Sequence, residues 1–407
     1  MDIVPELGKA SPAANGSGRR RVVVNDHGGR PFPIDLSRAL ARRGHRVTHV
    51  CGASGGLDLG APIGDDGDLR VAVVGTGPTE SGSTWAGRLG ADLRYGVRSA
   101  WVCRRARAQV VIAAPMPTLS LLLMGAILWP FGTRRVLWFQ DRRADRPESV
   151  GGNGRRLVDG AVRCVEDWSL RRADAVVAAS GPLAAYARAV GVAEPRVTVL
   201  ENWAPVEEIP VRPRRNDWSE RMGLAAGLNF VYTGPLGFEH RPELLVALGE
   251  ELAAVDPGAQ VVVAASGPGA SRLAEILARR PQLDNLVLMP TPRFRELPDV
   301  LGAADVLVTL LDPEAAGYAV PANVPGYLCA GRPVLGLLPY GNPAERTITR
   351  FARAGLVSEQ AATFLADARR LADDRELRLT LGKRGRDWAE AHFPVGGLAD
   401  HFERILT

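Results

Sequence analysis

The sequence predicts an α/β protein built from two doubly wound parallel sheets, followed by C-terminal helices. Three observations carry this expectation. Short apolar runs recur along the chain, each ending in polar or glycine residues, with helical patterns standing between them. A charged, proline-rich stretch near residue 203 interrupts that alternation once, after which it restarts. The length, 407 residues, exceeds one ordinary core and suits two.

Residues 1–18 carry no apolar segment and predict a floppy leader rather than a signal peptide. "RRRVVVN" (19–25) has the profile of a buried parallel strand. "DHGGRP" and "IDLSRALARRGH" follow, with Ile34, Leu36, Leu40 and Ala41 at helical spacing, and then the strand "RVTHVCG". This is a βαβ unit. "LRVAVVG", "AQVVIAAP", "RVLWFQD", "AVVAAS" and "RVTVLEN" continue the pattern, with helices such as "LVDGAVRCVEDWSLRRA" among them. The first domain is thus assigned to 19–202. "WAPVEEIPVRPRRNDW" (203–218) reads as a linker. The second domain, 219–385, runs through "NFVYTGPLG", "AQVVVAASGPG", "NLVLMP", "DVLVTLL" and "RPVLGLLP". Residues 386–407 predict a C-terminal helix packing back on the first domain. Two such domains predict a ligand cleft at the carboxyl ends of their strands.

Composition excludes several classes. Hydrophobic residues make up 46% and charged residues 23%, as in an ordinary soluble protein. The net charge of +5 is spread over arginines scattered through predicted helices, not gathered into a nucleic-acid footprint. Cys51, Cys103, Cys164 and Cys329 lie far apart beside apolar residues and predict small buried hydrophobes in a reducing compartment. "MPTLSLLLMGAILWPF" (116–131) is strongly apolar but broken by Pro117 and Gly125, and falls short of the roughly 20 residues of a spanning helix. It predicts a buried helix, with contact to a bilayer surface as the alternative. The six histidines show no metal-ligand spacing, and P-loop, dinucleotide and nucleophile-elbow fingerprints are absent.

Three post-strand loops are candidates for ligand contact. Gly28 and Gly29, after the first strand, suit backbone approach to an anion, though a glycine pair also makes a turn by itself. His27 suits proton transfer or hydroxyl contact, and equally suits a turn. Gly234 and Gly237 flank a bend followed by His240 and Arg241, a cation beside a helix start opened by Pro242. Gly267 and Pro268 end a third strand and open a helix.

These segments together resemble family 4 retaining glycosyltransferases of the GT-B fold, which pairs two Rossmann-like domains across a cleft. The likeness rests on "HGGRPFPIDLSRALARRGHRVTHV", "RVTVLENWAPVEEI", "FVYTGPLG", "ASGPGASRL", "LPDVLGAADVLVTLL" and "VPANVPGYLCAGRPVLG", in that order. "WFQDRRADRPES" and "ENW" are most similar to the bacterial surface-polysaccharide branch typified by N-acetylfucosaminyl transferases. The resemblance implies a hexosyltransferase-type enzyme without cofactor or metal. It would move sugar from a nucleotide-diphosphate donor to a glycan, a lipid-linked sugar or a natural product. The expected location is cytoplasmic, with peripheral contact at the inner membrane face as an option.

The resemblance also implies roles. Arg241, assisted by His240, takes the basic position facing the diphosphate, and Asp141 or His27 orients the acceptor. Donor contacts are assigned to Gly28, Gly29, Gly234, Gly237, Gly267, Pro268, Arg293, Glu314, Tyr318, Val320, Asn323 and Val324. The chain departs from the family at three points. Tyr318 and Gly326 stand where two glutamates are usual, and Asn323 stands where the polysaccharide branch has lysine. Glu314 is the nearest substitute for the first glutamate. The departures leave open a catalytically silent GT-B protein that supports a partner transferase. A nucleotide-sugar epimerase is a further reading, for which the sequence offers no cleft acids.

Overall fold

The computed structural model describes residues 18–28, 31–52, 67–74, 85–140, 155–201, 203–313, 320–393 and 395–406. The chain divides into two compact units, Met1–Asn202 with Val395–Thr407, and Trp203–Pro394.

Unit 1 alternates strands and helices in chain order: β1 (Arg21–Asp26), α1 (Pro31–Arg42), β2 (Arg46–Gly52), β3 (Leu69–Val74), α2 (Trp85–Arg105), β4 (Val110–Ala113), α3 (Thr118–Leu128), β5 (Arg134–Phe139), α4 (Arg155–Arg172), β6 (Ala175–Ala178), α5 (Gly181–Ala189) and β7 (Val197–Val199). Its strands lie in the order β3-β2-β1-β4-β5-β6-β7, all parallel. β1 and β4 are apolar runs because helices cover both faces of the sheet. Ser180 caps α5 by accepting a hydrogen bond from the Leu183 amide.

Unit 2 continues with α6 (Asp217–Arg221), β8 (Asn229–Pro235), α7 (Glu243–Val255), β9 (Gln260–Ser266), α8 (Pro268–Ala278), β10 (Leu286–Met289), α9 (Leu297–Gly302), β11 (Val306–Leu310), α10 (Val324–Cys329), β12 (Val334–Leu337), α11 (Pro343–Arg346), β13 (Gly355–Ser358), α12 (Ala361–Asp373) and α13 (Arg375–His392). Its parallel sheet runs β10-β9-β8-β11-β12-β13. Phe230, Leu245, Val263, Leu335 and Phe364 are fully buried in its core.

The chain then returns to unit 1 as α14 (Val395–Leu406). Phe402 is fully buried and meets Trp138 of β5 edge-on at 5.1 Å. Burial of a ring this size contributes on the order of 3 kcal/mol. Arg43 at the end of α1 holds Glu403 at 2.8 Å and Asp400 at 2.5 Å. His45 accepts from the Arg20 amide at Nδ1, so its Nε2 carries the proton donated to Glu403.

The structure departs from the sequence expectations in several places. Position 386 falls inside α13, and the break before the final helix lies at 393–395. The stretch assigned as a linker starts at the boundary between the two units and is anchored to unit 2. Trp203, Ala204 and Ile209 are buried, and Arg386 donates to the carbonyls of Ile209 and Cys329 at 2.8 and 2.7 Å. The apolar segment 116–131 is only half-buried. Within α3, only Ser120, Met124 and Leu128 are buried, and Trp129 and Phe131 beyond it are 50% exposed. Cys51, Cys103 and Cys329 are buried, with thiols raised by desolvation to about 11, 12 and 12, whereas Cys164 on α4 is exposed. Residues 1–17 of the expected leader lie outside the described residues.

One buried group in unit 1 makes stability depend on pH. His49 on β2 is fully buried. Ser37 Oγ donates to the Pro33 carbonyl, so His49 Nδ1 must donate to Ser37 Oγ at 2.9 Å. The remaining nitrogen, Nε2, has no hydrogen-bond partner among the described residues. Burial, with the charge of Arg38, lowers the imidazole from 6.5 to about 4. Below pH 6.5 the unfolded chain therefore binds a proton that the folded chain refuses. Stability present above that pH is lost as the pH falls from about 6.5 toward 4, by up to roughly 3 kcal/mol. Urea denaturation across this window is expected to show the slope, and His49→Gln is expected to flatten it. An unchanged slope in the variant contradicts the assignment.

Candidate functional site

In an open parallel sheet, ligands bind beyond the carboxyl ends of the strands where the winding direction reverses. The strand orders place that reversal between β1 and β4 in unit 1, and between β8 and β11 in unit 2.

At the first reversal, β1 ends in buried Asn25 and Asp26. The Gly28 amide donates to the Asp26 carboxylate at 3.2 Å, an Asx turn that satisfies itself. The His27 ring stands edge-on to Tyr95 of α2 at 4.7 Å, and the Tyr95 hydroxyl donates to Asn25 at 2.6 Å. A Cβ on Gly52, at the end of β2, would meet the His27 carbonyl at 2.6 Å, so β2 packs directly against this turn. Gly29 and Asp141 lie outside the described residues. Beside the reversal, a hollow at the ends of β4 and β5 is lined by Met116, Phe139, Gln140 and Glu166. Gln140 and Glu166 are not among the residues the sequence motifs point to. Their signal was a polar residue closing an apolar run, and an acid within the spacing of a helix's inner face.

At the second reversal the sheet opens. β8 pairs with β9 as far as Pro235, but its pairing with β11 is confined to Phe230 and Val231. Beyond that point the Tyr327 hydroxyl of α10 takes over. It accepts from the Thr233 amide at 2.9 Å, donates to the Thr233 carbonyl at 3.3 Å, and accepts from the Asn323 side chain at 3.0 Å. Asn323 also accepts from Thr309 of β11 at 3.1 Å and donates to the Thr233 carbonyl. Burial pushes the Tyr327 hydroxyl up to about 12, so it stays neutral and keeps its proton to donate.

The loop after β8 leaves this opening through Gly234, at φ +116°, a conformation that glycine alone adopts without strain. The Gly237 amide donates to His240 Nδ1 at 2.8 Å, which leaves Nε2 as the protonated nitrogen of the neutral ring. Arg241 follows at φ +46°, a left-handed conformation costing a side chain about 1 kcal/mol. Its Nε lies 3.5 Å from the carboxylate of Asp312, just beyond β11, and the Asp312 amide donates to the Glu239 carbonyl at 2.7 Å. A cation and its holder thus span the reversal.

The other assigned residues divide. Gly267, at φ +111°, is explained by packing, and so is Gly269, which was not assigned a donor contact. A Cβ on either would meet the backbone of Leu236 or Gly237 at 2.6–2.9 Å, and the Gly269 amide is bound to the Leu236 carbonyl. Pro268 is exposed at the first turn of α8. Val324 is buried in the core, and Val320 is half-buried. Arg293 is exposed beyond β10, two strands from the reversal. Glu314 and Tyr318 lie outside the described residues. Among the described residues, no three His, Cys, Asp or Glu side chains gather as a metal site requires.

Residues 28–203 match the family model of the glycosyl transferase 4-like domain. No curated protein matches the chain in sequence. Among solved structures, HepE of Anabaena in complex with UDP and glucose is similar at a TM-score of 0.70 and 14% identity, covering 95% of this chain and 99% of that one. Sucrose-phosphate synthase from Thermosynechococcus elongatus is similar at 0.70 and 17%, covering 95% and 98%. A glycosyltransferase from Rickettsia africae is similar at 0.63 and 12%, covering 96% and 98%. The chain therefore has the GT-B fold, with two Rossmann-like units, and most of its first unit matches the glycosyl transferase 4-like domain.

Proposed function

We propose that this chain is a glycosyltransferase that moves a sugar from a nucleoside-diphosphate donor to an acceptor. The observation carrying the reading is Arg241, held by Asp312 across the β8/β11 reversal in a strained conformation. The family match of residues 28–203, and the UDP and glucose held by HepE on the same fold, support it. Departure of the donor diphosphate develops about two negative charges. The Arg241 guanidinium stabilises them, and Asp312 fixes where that cation stands. His240 braces the bend through its Nδ1.

In this reading, unit 2 takes the donor and unit 1 the acceptor. Transfer proceeds with retention and without metal, the leaving phosphate oxygen receiving the acceptor's proton. The acceptor is a glycan, a lipid-linked sugar or a small natural product, in the manner of the surface-polysaccharide branch, and the work is done in the cytoplasm. A catalytically silent chain supporting a partner transferase is the second reading. It is favoured by the absence of both family glutamates, with Gly326 inside α10 at one of their positions.

A thermal-shift panel of nucleoside diphosphates and their sugars is expected to raise the melting temperature selectively by mass action. With the donor so identified, Arg241→Ala is expected to lower kcat by roughly 10²–10³. Arg241→Gly is expected to melt no lower than the parent. It relieves backbone strain of about 1 kcal/mol and loses an exposed ion pair of roughly 0–1 kcal/mol. Its nucleotide shift should still vanish. Undiminished turnover in Arg241→Ala contradicts the role, and absence of turnover from every donor in the parent chain favours the silent reading.

A further inference from the structure

We propose that the outer face of α2, together with the turn after α3, seats unit 1 on an anionic lipid bilayer. This surface is separate from the donor reading and does not depend on it. Leu93, Val97 and Trp101 recur four residues apart on α2 and are 37%, 50% and 59% exposed, forming one apolar stripe on a helix whose inner face packs on the sheet. Trp129 and Phe131 extend it, each 50% exposed.

Cations frame these rings. The Arg104 guanidinium lies 3.3 Å from the centroid of Phe131, joining α2 to the turn, Arg105 sits over Trp101 at 5.3 Å, and Arg172 of α4 sits over Trp129 at 4.4 Å. Arg94 and Arg98 stand exposed beside the stripe. The arginines that look scattered along the sequence are therefore gathered here by helical geometry.

The charge decides between occupants. Residues 85–131, which carry this face, contain six arginines against a single acidic residue, Asp92. A second copy of this chain would bring the same positive patch, and an ordinary protein surface would mix both signs. A plane of anionic headgroups complements one sign throughout, with indole and phenyl rings at the level where such rings settle and arginine heads reaching phosphate. Among the described residues no helix is long and apolar enough to cross a membrane. The contact is accordingly a surface one, made by ring tips and guanidinium groups.

The test is co-sedimentation of the full chain with vesicles of phosphatidylcholine alone and with vesicles of phosphatidylcholine mixed with phosphatidylglycerol. The chain is expected to pellet with the mixed vesicles only, and to be released by high salt. Trp101→Ser with Phe131→Ser, and separately Arg98→Glu with Arg105→Glu, are each expected to weaken binding at least roughly ten-fold. All four positions are exposed, so melting curves should match the parent and exclude unfolding as the cause. Three results overturn the proposal: equal pelleting with neutral and anionic vesicles, undiminished binding by both variants, or a parent that ignores vesicles but forms a dimer that the variants lose.

Discussion

A buried peptide group must find a partner, and at residue 233 the sheet of unit 2 does not supply one. β8 and β11 diverge after Val231, leaving the Thr233 amide and carbonyl facing a gap. The Tyr327 hydroxyl answers both, and the Asn323 side chain fastens that hydroxyl to β11 through Thr309. Leaving one such group unpaired costs about 1–3 kcal/mol. The tyrosine therefore keeps the strand ends apart and fixes α10 in one step. The loop after β8 emerges from the opening so made, and Arg241 meets Asp312 there.

The same logic runs through unit 1 with different residues. Asn25 and Asp26 close β1, Tyr95 reaches down from α2 to hold Asn25, and the Gly28 turn closes on Asp26. One face of this unit is completed by residues 395–406. α14 places Phe402 against Trp138, and Arg43 and His45 fasten its acids. Residues beyond 394 are thus as much a part of this core as β1.

Most strands were legible because a strand covered on both faces must be apolar along its whole length, and such runs stand out. β13 did not stand out, because all four of its residues are only half-buried and the selection for apolar character is weak. The boundary between the units falls where the linker was expected to begin, but its anchoring was not legible. Prolines and charges dominate its composition, while Trp203 and Ile209 anchor it. Gly267 shows where motif reading stops. A glycine loop that suggests an anion is demanded here by the Leu236 carbonyl thirty-one residues earlier, a neighbour that no local pattern reveals. Arg241 and His240 were found from their place after a strand. Asp312 and Tyr327 were missed, since each acts through a contact between segments far apart in the chain.

The account turns on Arg241 being the group that meets the donor's diphosphate. The most direct measurement is a crystal structure of the chain with a bound nucleoside diphosphate. The account predicts phosphate oxygens within about 3 Å of the Arg241 guanidinium nitrogens, at the gap that Tyr327 holds between β8 and β11. A diphosphate seated elsewhere, with Arg241 still turned to Asp312 alone, would contradict it.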